Sequence, residues 1–181
     1  MESNFNAQHG IMIYPDESED KQFYKGFFKT QTLNSFDNID KEPHGLGSLT
    51  YKTQIKYEGT FRNGQVDGIG AFLHYNAEEK KYKVFYEGQV QNGKKHGIGD
   101  MTYQDGSKYQ GTFENDKMTG VGIKTFPENT NKIRRYEGQI QNGMPMGIGK
   151  LQYNDGSIHQ GVFVNGVLEG TGTIIYKKNQ D

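Results

Sequence analysis

Tyr86-Glu87-Gly88-Gln89-Val90-Gln91-Asn92-Gly93-Lys94-Lys95-His96-Gly97-Ile98-Gly99-Asp100-Met101-Thr102-Tyr103-Gln104-Asp105-Gly106 contains the plan of the whole chain. Tyr86, Gly88 and Val90 alternate with polar residues, and beyond Gly99 so do Met101 and Tyr103. A period of two is the mark of a β-strand with one buried face. Asn92-Gly93 divides the two strands, and Asp105-Gly106 leads out of the second; both dipeptides favour tight reversals. One such stretch is a β-hairpin followed by a turn.

The pattern recurs outward in both directions. Aligned on Tyr24, Tyr57, Tyr86, Tyr109, Tyr136 and His159, every unit has a glycine two residues on: Gly26, Gly59, Gly88, Gly111, Gly138 and Gly161. A Gly-X-Gly follows in each: Gly45/Gly47, Gly68/Gly70, Gly97/Gly99, Gly120/Gly122, Gly147/Gly149 and Gly170/Gly172. The first pair is displaced by an insertion near residues 30–40. With the Asn-Gly and Asp-Gly glycines, the repeat absorbs all but Gly10 of the 25 glycines. An isolated hairpin is marginally stable, so successive units must stack. The expected fold is all-β, an elongated twisted single antiparallel sheet of successive hairpins. Its parts are an N-terminal extension or cap (1–22), six units (23–176) and a short tail (177–181). Met1–Gly10 reads as a polar arm, and Ile11–Tyr14 as a short strand covering the first edge.

Composition agrees. Gly reaches roughly twice its average share without collagen's third-residue period. Mean hydropathy is −0.89, low enough for disorder, yet 12 Tyr and 11 Phe among 181 residues argue for order. Glycine weakens a strand unless something needs its space. Two readings stand: a ring on one strand lies over a bare glycine on its neighbour, or the glycines mark bulges.

The unit Tyr-Glu-Gly-x-x-x-x-Gly-x-x-x-Gly-x-Gly, followed by an aromatic strand and Asp-Gly, resembles the MORN repeat. Tyr86–Lys108 and Tyr136–Ile158 are the fullest copies, and Tyr57–Leu73 matches through its first half. Asp116 replaces the mid-unit glycine of the fourth unit, and His159 replaces the leading Tyr of the last. The resemblance implies a scaffold or tethering module of the kind found in radial spokes, other ciliary or cytoskeletal assemblies and junctions. It also occurs beside catalytic domains, for which six units leave little room here.

Catalytic motifs are missing. No Gly-X-Gly continues to Gly-X-Gly-X-X-Gly or opens a helix, and neither a Walker lysine nor a nucleophile elbow occurs. His44 and His96 share one repeat position, so repeat geometry explains them better than metal does. With no Cys, a net charge of −1 and no long apolar segment, the chain reads as cytosolic, with no cofactor, no metal, no nucleic-acid partner and no small-molecule substrate.

Two surfaces remain as candidates. The first is an aromatic groove of Tyr57, Phe61, Tyr86, Tyr103, Tyr109, Phe113, Tyr136, Tyr153 and Phe163, either self-filled or open to a partner segment. The second lies in the two long connections between units, which carry Lys80, Lys81 and Lys83, and Lys132, Arg134 and Arg135, and which should project from one edge. Asp16, Glu17, Glu19 and Asp20 stand apart as an acidic cluster. The sequence expectation is a non-enzymatic adaptor binding other proteins in a large intracellular assembly, with the ciliary axoneme or cytoskeleton as its place by family resemblance. The alternative is a peripheral tether holding anionic phospholipid through the basic connections.

Overall fold

In the computed structural model, which describes residues 7–15, 20–32, 39–128 and 132–176, the strands follow one another in chain order as neighbours in a single antiparallel sheet. They are β1 (Ala7–Ile13), β2 (Lys21–Thr32), β3 (Ile39–Tyr51), β4 (Ile55–Arg62), β5 (Gln65–Asn76), β6 (Lys81–Gln91), β7 (Lys94–Thr102), β8 (Lys108–Glu114), β9 (Lys117–Thr125), β10 (Ile133–Gln141), β11 (Met144–Tyr153), β12 (Ile158–Val164) and β13 (Val167–Ile175). No helix occurs among the described residues. Two compact units, Met1–Lys94 and Lys95–Asp181, divide the chain at the start of β7.

The hairpin turns are set by local chemistry. Asn63-Gly64, Asn92-Gly93, Asn142-Gly143 and Asn165-Gly166 all hold positive φ at both residues, about 50° then about 80°. That is the type I′ geometry, whose twist suits the flanking strands. Asn115-Asp116 does the same without glycine. Between units, the Asp105 carboxylate accepts from both the backbone N–H and the hydroxyl of Ser107, and Asp155 does so from Ser157. Gly106 and Gly156 supply the positive φ those reversals need; in the corresponding turn after Tyr51, Gln54 takes it at φ 62°.

The two glycine readings are both right, at different positions. The first glycine of each Gly-X-Gly is a bulge: Gly45, Gly68, Gly97, Gly120, Gly147 and Gly170 all have positive φ. Within the β4–β5 hairpin, Gly59 faces Gly70 but Phe61 faces Val66, so Thr60 stands against the bulged residues. The second glycine, and the one two places after the Tyr, give room to a ring. A Cβ on Gly59 or Gly70 would stand under 3.0 Å from the Tyr57 hydroxyl; Tyr24, Tyr109 and Tyr136 cover their own pairs in the same way. In the last unit, where His159 replaces Tyr, Leu168 covers Gly161 and Gly172 instead.

These glycines face one another strand by strand. Gly10, Gly26, Gly47, Gly59, Gly70 and Gly88 form one row in the first unit. Gly99, Gly111, Gly122, Gly138, Gly149 and Gly161 form the equivalent row in the second. Gly10, outside the repeat pattern in sequence, is thus the first member of a row. Phe28 lies over it, which explains a correction: Ala7–Gly10 is not a free polar arm but half of β1, paired to β2.

The insertion in the first unit lengthens β2 and β3, which pair out to Thr32 and Ile39; its tip lies outside the described residues, as do Asp16, Glu17 and Glu19. The first long connection is also mostly strand. Tyr75 pairs with Tyr82 and Asn76 with Lys81, so the reversal itself is only Ala77–Lys80.

Candidate binding face

Residues directly opposite in the sheet share a face, so the registers sort every side chain. The ladder tyrosines and their glycines occupy one face, which contains the core of each unit. Tyr24 donates to the Phe27 carbonyl (2.7 Å), Tyr86 to Gln89 (2.6 Å), Tyr109 to Thr112 (3.0 Å) and Tyr136 to Gln139 (2.6 Å). Edge-to-face contacts join Tyr24 to Phe61 (4.8 Å), Tyr57 to Phe61 (5.4 Å), Tyr109 to Phe113 (5.1 Å) and Tyr136 to Phe163 (5.6 Å). Burial pushes the Tyr24 phenol up to about 12 and raises those of Tyr57, Tyr109 and Tyr136, so these hydroxyls remain donors.

The expected aromatic groove is therefore filled by its own rings. Tyr57, Phe61, Tyr86, Tyr109, Phe113, Tyr136 and Phe163 are each 3% exposed or less. Tyr103 and Tyr153 are half-buried, and both are engaged within the chain. The Lys124 ammonium sits 5.4 Å from the Tyr103 ring, whose hydroxyl meets Met118 Sδ at 3.2 Å. Tyr153 meets the His159 ring in a tilted contact with centroids 4.6 Å apart.

The basic candidates are partly neutralised. Glu79 pairs with both Lys81 and Lys83, and these cations hold its carboxyl below the usual range. Arg135 pairs with Glu137 at 3.0 Å. Lys80 stands in the exposed reversal at φ 51°; Lys132, just before β10, and Arg134, within its first residues, are exposed.

The opposite face exposes aliphatic side chains. The middle residue of each Gly-X-Gly points away from the rings. Leu46 and Ile69 in the first unit, and Ile98, Val121 and Ile148 in the second, are 63% to 70% exposed. In the second unit they form a row: Ile98 faces Thr112, Val121 faces Gln139, and Ile148 faces the partly exposed Val162. Successive aliphatics are two strands apart, about 10 Å. The signal was present in sequence, since an aliphatic residue recurs between paired glycines in five of six units.

The polar residues between them have a local task. A bulge frees backbone groups from the ladder, and an adjacent side chain takes them up. Thr60 Oγ1 accepts from Ile69 N–H (2.9 Å) and donates to the Asp67 carbonyl (2.7 Å). Gln139 Oε1 accepts from Ile148 N–H (2.8 Å). Ile69 and Ile148 are thereby held on pinned bulges.

A cleft of about 430 Å³ opens on this same face of the second unit, with Ile123 in its lining. Lys108 and Arg135 flank Thr125, which is the register partner of both; Thr102, Gln110 and Asp100 complete the polar wall.

A family model, the MORN repeat, matches residues 57–76, 86–108, 109–130, 136–158 and 159–180. No curated protein matches the chain.

Proposed function

The chain belongs to the MORN-repeat family, and from that premise we propose that it is a non-enzymatic adaptor that holds other proteins on the face opposite its tyrosine ladder. MORN repeats are non-catalytic modules, consistent with a protein-binding or membrane-associated scaffold. The observation that carries the protein-binding reading is the aliphatic row Ile98–Val121–Ile148, exposed while the ladder tyrosines are buried on the other face, with Ile148 on a hydrogen-bonded bulge. Apolar side chains aligned on a fixed frame lose little entropy when a partner covers them. By family resemblance the adaptor works in a ciliary axoneme, such as a radial spoke, or in the cytoskeleton.

The test is recovery of partners from native extract, comparing the full chain with an Ile98→Asp/Val121→Asp/Ile148→Asp variant that melts normally. The adaptor reading expects defined proteins in stoichiometric amounts with the first and their loss with the second. Recovery of free monomer alone would contradict it. Imaging a tagged chain in ciliated cells tests the placement; uniform cytosolic signal would count against it.

A second reading, an anionic-membrane tether, rests on Lys80, Lys132 and Arg134 at the long connections. Glu79 and Glu137 offset the other three cations, which weakens it. Absence of flotation with anionic vesicles at low salt would end that reading.

A further inference from the structure

We infer that the cleft between Lys108 and Arg135 receives one acidic side chain of the partner segment that covers the aliphatic row; this rests on the adaptor reading and gives its partner a chemistry. Register puts the two cations two strands apart, about 10 Å, with Thr125 between them. Among the described residues Lys108 reaches no carboxylate at ion-pair distance. Arg135 has given part of its guanidinium to Glu137 at 3.0 Å, which fixes its direction. A carboxylate over Thr125 would meet an ammonium, a guanidinium edge and a hydroxyl, the donors that suit it.

The neighbouring charges limit the occupant. Asp100 lines the same cleft, and Glu137 and Lys150 line the adjoining one. A polyanion or an anionic bilayer would meet these carboxylates as well as the cations. A single acid over Thr125 sits opposite Lys108 on the neighbouring strand, with Asp100 two strands away and the Glu137 charge offset by its pairing to Arg135. Four residues along β8 separate Lys108 from Thr112, which stands in the aliphatic row, a span of about 13 Å. The partner is therefore a protein segment with one Asp or Glu roughly four extended residues from its apolar contacts.

The experiment uses a fluorescent synthetic peptide bearing one Glu and Leu residues spaced to fit the row, its Glu→Gln counterpart, and phosphatidylserine-containing vesicles. The full chain should bind the Glu peptide at least about fivefold tighter than the Gln peptide at low salt. A Lys108→Gln/Arg135→Gln variant of normal melting temperature should lose that difference while retaining the weaker Gln-peptide affinity. Equal affinity for both peptides, a preference that survives in the variant, no binding of either peptide, or vesicle binding that alone depends on Lys108 would each overturn the inference. Loss of both peptides on Ile148→Asp, with no Glu preference in the wild type, would leave the adaptor reading standing and remove this one.

Discussion

The Tyr136 ring lies over Gly149 on the neighbouring strand, so close that a Cβ there would stand 2.7 Å from ring atom Cε2. Gly149→Val should therefore displace the ring and break the Tyr136–Phe163 contact, costing about 3 kcal/mol or more. The space around Gly64 is open, and only its φ of +76° resists a side chain; Gly64→Ala should cost about 1 kcal/mol. Urea unfolding of both variants measures the contrast. Equal midpoints would refute ring-over-glycine packing.

Gln54 occupies the positive-φ place that Gly106 and Gly156 fill elsewhere. Gln54→Gly should stabilise the protein by about 0.5–1 kcal/mol, the strain relieved exceeding the added freedom of the unfolded chain. A lower urea midpoint would contradict the shared turn geometry.

Tyr24 and Tyr51 have phenols pushed up to about 12, chiefly by burial. The folded state holds their protons more tightly than the unfolded state does, whose tyrosines ionise near 10. Their contribution to stability is complete below about pH 10 and is lost as pH rises through 12. Phenolate absorbance should rise together with loss of β-sheet circular dichroism over that range. Ionisation of all tyrosines well before unfolding would contradict the sealed ladder.

At the acid end, the hydrogen bonds from Ser107 and Ser157 lower the carboxyl pKa of Asp105 and Asp155. That stability is present above the unfolded carboxylate range, near 4, and is lost as pH falls through the lowered values. Asp105→Asn/Asp155→Asn should flatten the acid limb of a stability–pH profile. An unchanged slope would show that the turns do not depend on the charge.

Much of this fold was readable because the repeat imposes one register many times over. Tyr57-Glu58-Gly59 and Asn63-Gly64 determine strand, ring face and turn without distant information. The separate duties of Gly68 and Gly70 were not readable, because both are simply glycine in sequence; φ and register tell bulge from ring seat. The place of Lys81 and Lys83 was missed for a different reason. The Tyr75–Tyr82 contact at 5.3 Å extends the hairpin past the repeat motif, and Glu79 comes within reach of both lysines only once that turn closes. The exposed aliphatic face was overlooked because aromatic residues drew attention to the face that packs on itself. Ile69 and Ile148, read by parity alone, already pointed the other way.

If partners cover the aliphatic face and not the rings, the middle of the row should lose access to solvent on binding. The chain has no cysteine, so a single Val121→Cys substitution gives one thiol on that row, and its maleimide labelling rate can be compared in the free protein and in complexes isolated from native extract. Rapid labelling when free and at least about tenfold slower labelling in the complex is the result expected from burial of the row. Equal rates in both states would contradict it.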